Sequence, residues 1–146
     1  MIGFGEAIRN FFRNYFNFSG TATRAEFWWI VLALFLCLTL PTILMSMLGF
    51  LGGLGVLLAT LIGFAALLLL LASIIPLISL GFRRYHDAGF SGMLFLLFYV
   101  SGLFIAFVQT FVMTGWLITL LSWVLTIANI VILVLPSKMQ GNPYRK

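Results

Sequence analysis

"GFRRYHDAGFSG", residues 81–92, gathers Arg83, Arg84, His86 and Asp87 within five positions. Its surroundings are silent by comparison. No Asp, Glu, Lys, Arg or His occurs from Phe27 to Phe82, and none occurs from Ala88 to Ser137. Uncharged apolar runs of this length read as membrane-spanning helices, each needing about 20 residues to cross the hydrocarbon. The charged stretch then reads as the loop that joins two pairs of spans.

Working outward, each silent block divides in two. "FWWIVLALFLCLTLPTILMSML", residues 27–48, is one span. The glycine-rich "GFLGGLG", 49–55, favours a turn, and a second span follows over 56–80. A single helix over 92–135 would run roughly 66 Å, too long for one crossing. Its most polar cluster, "QTFVMTG" at 109–115, marks a break, giving spans of about 92–110 and 115–135. The expected fold is an all-α membrane protein: four transmembrane helices in two hairpins, preceded by a short amphipathic interfacial helix. The whole of 1–146 is expected to be one domain, with an interfacial segment over 1–22 and a tail over 136–146.

Composition agrees. The 146-residue chain is 63% hydrophobic and 8% charged, against about 45–50% and 25% in soluble domains. The net charge of +5 is therefore not a nucleic-acid signal. Arg9, Arg13 and Arg24 precede span 1, Arg83 and Arg84 lie between spans 2 and 3, and Lys138, Arg145 and Lys146 follow span 4. Four spans put all of them on one side, and the positive-inside rule makes that side cytoplasmic, with both termini there. Cys37 is the only cysteine of the sequence, so it can form no disulfide within it. Phe35 and Leu36 before it do not fit a lipoprotein cleavage site, and the first apolar run is too long for a signal-peptide core.

At the N-terminal side, Phe4, Ile8, Phe11, Phe12 and Tyr15 follow helical spacing. Glu6, Arg9, Asn10, Arg13 and Asn17 fill the other face. Such a helix suits the membrane interface, or it packs against the protein's own loops. Thr23 and Glu26 match a capping box that opens span 1, with Trp28 and Trp29 following as an aromatic belt. Pro41 is expected to kink span 1 and Pro76 to disturb the end of span 2. Asn129 and Gln109 stand isolated in the later spans, and Asn129 reads as interhelical glue.

Material for catalysis is scarce. The acids are Glu6, Glu26 and Asp87, and His86 is the single histidine. No catalytic residue, metal site or cofactor is expected. Acids within the spans would mark coupled transport, and the spans have none. What the charged stretch suits is negative charge. Arg24, Arg83, Arg84 and His86, with Ser91 at a helix start, form a candidate site for an anionic headgroup or a partner. Glu26 and Asp87 form a candidate structural clasp with these arginines, tying one hairpin to the other.

Three elements together carry a resemblance: "SGTATRAEFWW" (19–29), "RRYHDAGFSG" (83–92) and "PSKMQGNPY" (136–144). The chain resembles the bacterial family of small inner-membrane proteins known as domain of unknown function 805 (DUF805). The matching residues are Gly20, Arg24, Glu26, Phe27, Trp28 and Trp29, then Arg83, Arg84, His86, Asp87, Gly89, Ser91 and Gly92, and finally Gly141, Asn142 and Tyr144. Thr21 and Phe90 stand where the family often has basic residues, and Met93 and Leu94 where tryptophans are frequent. The resemblance implies a bacterial inner-membrane protein without an assigned reaction. The expected function is a non-enzymatic module binding anionic lipid or a protein partner at its cytoplasmic face, the protein partner being a second copy (a homo-oligomer) or another membrane protein. The alternative is a small transporter or channel subunit acting as an oligomer.

Overall fold

A computed structural model describes residues 2–111 and 115–144. It has five α-helices: α1 (Phe4–Arg13), α2 (Arg24–Leu48), α3 (Gly52–Ala88), α4 (Gly92–Phe111) and α5 (Trp116–Val134). There is no strand among the described residues. A helix satisfies its backbone groups within one segment, which is what a chain without water to bond must do. The turn between α2 and α3 is a single 3₁₀ turn, Gly49–Leu51, and Gly52 follows at a φ of 67°. That left-handed value admits glycine far more readily than other residues. The break expected between spans 3 and 4 falls partly on 112–114, and Arg145 and Lys146 end the chain; these lie outside the described residues.

Helices α2 to α5 are each long and apolar enough to cross a membrane. Their outward surface is apolar as well: Phe35, Leu40, Phe64, Phe104, Phe107 and Trp123 are all exposed. Hydrocarbon is the solvent that such a surface fits. Three helices match their expected spans to within a few residues. The exception is α3, whose 37 residues reach about 55 Å.

The chain divides into two compact units, residues up to Phe16 with Ala25–Leu77, and Asn17–Arg24 with the residues from Ile78 on. In the first unit, α1 buries Ala7 and Phe11. Phe4 meets Trp29 edge-on at 5.7 Å, and the Trp29 indole donates to the Ile2 carbonyl at 3.3 Å. Pro76 lies inside α3 and has no N–H for the carbonyl of Ala72, four residues back. The Tyr15 hydroxyl takes that vacant acceptor at 2.6 Å. Pro76 thus creates a docking point for the segment after α1, and the helix runs on through it. Phe12 and Phe16 remain exposed, so only part of the apolar side of α1 is covered by the protein.

Candidate functional site

The second unit is built around the last turns of α3. The sequence suggested a loop over 81–92, but the helix continues through Arg83, Arg84, His86 and Asp87 to Ala88. The reason is a strong C-terminal cap. Gly89 adopts a φ of 87°, its N–H bonds the His86 carbonyl at 3.1 Å, and the Phe90 N–H bonds the Tyr85 carbonyl at 2.9 Å. This is the two-bond Schellman arrangement, with glycine at the left-handed position. Only 89–91 separate α3 from α4. Ser91 starts α4 as expected: its hydroxyl accepts from the Met93 N–H at 3.3 Å.

The tail completes the cap. The last carbonyls of a helix lack partners within it. Asn142 Nδ2 donates to the His86 carbonyl at 2.8 Å, and the Lys138 N–H donates to that of Asp87 at 2.8 Å. Asn142 Oδ1 in turn accepts from the Tyr144 N–H at 3.0 Å. This brings the Tyr144 ring onto His86, stacked at 3.9 Å and 9°. On another side, His86 Nδ1 lies 3.2 Å from the Gly20 carbonyl. A carbonyl can only accept, so in this contact Nδ1 carries the proton. Gly20, His86, Asn142 and Tyr144 come from the three elements far apart in sequence that carry the resemblance. They meet here.

Arg84 lies beneath this cap, with its side chain fully buried. Its Nη1 donates to Asp87 Oδ2 at 2.9 Å, and its Nε donates to the Leu133 carbonyl at 3.0 Å. Its Nη2 donates to the Leu135 carbonyl, and Ser137 Oγ donates to Asp87 Oδ2. The carbonyls of Leu133 and Leu135 belong to the end of α5, where a cation is favoured by the helix dipole. One guanidinium therefore holds an ion pair within α3 and caps α5 as well. Tyr85 adds a second link, donating from its hydroxyl to Asn129 Oδ1 at 2.6 Å. Asn129 is thus interhelical glue, as its position in a span suggested.

The candidate anion residues consequently fall into two groups. Arg83 and Arg84 are buried, whereas Arg24 and Ser91 are exposed and His86 is partly so. Of the two readings open to Arg84, anion site and clasp, its bonds are those of the clasp, because its planar fork matches three internal acceptors at once. Asp87 pairs with Arg84 within α3, and Ser137 with the Leu133 and Leu135 carbonyls joins that pair to the end of α5. Glu26 is buried in the first turn of α2. Arg24 lies near enough to Arg84 for their charges to interact. Among the described residues no three His, Cys, Asp or Glu side chains group as metal ligands.

Sequence reading missed the roles of Tyr85, Ser137 and Asn142. It also missed a recess of about 310 Å³ between α4 and α5. Residues that looked scattered line it together: Tyr99 and Gln109 from α4, and Ser122, Thr126 and Asn129 from α5. The signal was the spacing of 122, 126 and 129, which puts three polar side chains on one face of α5.

These observations define an all-helical, multi-pass membrane protein with a capped and clasped polar centre at the end of its longest helix. The chain belongs to the family described as "Protein of unknown function (DUF805)", which matches residues 15–146. No curated protein and no solved structure matches it.

Proposed function

We propose that this is a non-enzymatic module of the bacterial inner membrane that binds anionic lipid, or a protein partner, through its cytoplasmic face. Both termini and the α3–α4 turn are assigned to the cytoplasm. Helices α2 with α3 and α4 with α5 form the two hairpins of a single domain, and α1 lies in the interface. The order of basic residues along the chain supports this orientation. The exposed Phe12 and Phe16 of and just after α1, beside exposed Arg9 and Arg13, support the interfacial placement.

One observation carries the binding mode. Arg84 is buried and bonded within the protein, while Arg24 and Lys138 remain exposed. The outward-facing charge therefore acts as a surface potential rather than a shaped clamp. Near an anionic surface each such residue contributes about 1 kcal/mol, and salt screens it. Native mass spectrometry of protein released from mixed phosphatidylcholine and phosphatidylglycerol tests this. Phosphatidylglycerol retention is expected to fall in Arg24→Gln with Lys138→Gln, to persist in Arg24→Lys, and to fall with salt. Unchanged retention in the double glutamine variant would refute the lipid reading. The transporter or channel alternative has less support, because the spans carry no acidic or basic side chain that could couple to or select an ion.

A further inference from the structure

The α4–α5 recess contains polar groups with unused bonding capacity in a place where hydrocarbon supplies none. The side chains of Gln109 and Tyr99 make no hydrogen bond among the described residues. Asn129 uses its Oδ1 for Tyr85, and its Nδ2 has no partner among the described residues. Ser122 and Thr126 donate their hydroxyls back to the carbonyls of Thr119 and Ser122, at 2.7 and 2.8 Å. Their oxygens are left as acceptors. The recess thus offers donors at Tyr99 and Asn129 and acceptors at Ser122 and Thr126. Leaving such groups unmet in an apolar medium costs free energy, so an occupant that meets them is favoured.

The lining also limits what that occupant is. It contains no ionisable acid or base apart from the phenol of Tyr99. A charged head would enter without a counter-charge, at a large desolvation cost. The occupant is therefore neutral. Apolar Phe98, Leu103, Ile105, Leu125 and Ile130 make up most of the remaining wall, which suits hydrocarbon chains. Its volume of about 310 Å³ is at the small end of ligand sites. That fits a lipid head with the first carbons of its chains. A head that only accepts, such as a quinone, would leave the Ser122 and Thr126 oxygens unused. A glycerol head with one free hydroxyl and two esters uses both kinds of group: the hydroxyl donates to Thr126 or Ser122, and the ester carbonyls accept from Tyr99 and Asn129.

We propose that the α4–α5 recess is an intramembrane binding site for an uncharged glycerolipid of the diacylglycerol class. This site is separate from the surface charge at Arg24 and Lys138, and either can fail without the other. Gly102 lines the recess, and nothing lies within 4 Å of where its Cβ would stand. Gly102→Leu therefore fills the site without a clash at its first atom. Thr126→Val removes one acceptor at nearly constant volume and leaves the Tyr85–Asn129 bond in place.

The test uses the full chain in phosphatidylcholine vesicles with a photoactivatable, alkyne-tagged diacylglycerol, and cross-links mapped by peptide mass spectrometry. Labelling is expected to concentrate on α4 and α5. Excess dioleoylglycerol should compete, and the same excess of dioleoylphosphatidylglycerol should not. Gly102→Leu should abolish the competed fraction. Thr126→Val should weaken it about tenfold, the scale of one desolvated hydrogen bond. Val124→Leu, at an exposed position outside the recess, should behave as wild type. Uncompeted labelling spread over all four spans, or labelling indifferent to both Gly102→Leu and Thr126→Val, would overturn the proposal. So would high-yield disulfide pairing of two copies through Ser122→Cys in a Cys37→Ser background, since a second copy would then cover the recess.

Discussion

Arg84 is an arginine for a geometric reason. Three acceptors surround it in different directions: Asp87 in its own helix, and the carbonyls of Leu133 and Leu135 at the end of α5. A lysine ammonium keeps the charge but cannot present separate N–H groups along a rigid plane. Arg84→Lys is therefore expected to destabilise the protein although charge and length are nearly kept. Asp87→Ala leaves the guanidinium buried without its counter-ion, a loss of about 3–5 kcal/mol for such pairs. Thermal melting in detergent checks both. Clear drops are expected for each variant, with no change for the exposed Glu6→Ala. Equal shifts for all three would mean that the clasp contributes nothing.

At the scale of elements, α3 shows what could be read from the sequence and what could not. The apolar runs gave four helices, because hydrocarbon leaves the backbone few alternatives. The end of α3 was hidden, since a cluster of charge ordinarily marks exit into water. Here the Arg84–Asp87 pair is local, but the carbonyls that complete the bonding of Arg84 lie some fifty positions later, and no local pattern announces them. Asn142 was legible as part of a motif, but its role as a cap on His86 emerges only when the tail folds back. The recess was half legible: the face at 122, 126 and 129 lay in the sequence, whereas its match with Tyr99 required α4 to be placed. Close approach of α3 and α4 is likewise visible only in three dimensions. A Cβ on Gly81 would run into the Phe95 ring. Gly81→Ala is expected to cost about 1–3 kcal/mol through overpacking. Adding Phe95→Leu should recover part of that loss in the same melting assay. No recovery would mean that the two sites are uncoupled.

For the whole molecule, the proposed orientation makes a direct prediction. Reporter fusions after Lys146 and at the α3–α4 turn should signal cytoplasm, and a fusion within 49–55 should signal the opposite side; a periplasmic signal from the C-terminal fusion would overturn the four-span arrangement in this orientation. The buried clasp also has a consequence for how the chain is made. The acceptors of Arg84 lie 49 and 51 residues further along. At about 5–20 residues per second, translation takes roughly 3–10 seconds to reach them. During that interval the guanidinium has only Asp87 for company, and water must supply the rest. In the proposed orientation, the end of α3 stays at the aqueous edge of the membrane until α5 arrives. Its dehydration is then a late event in folding, because it waits for the last helix.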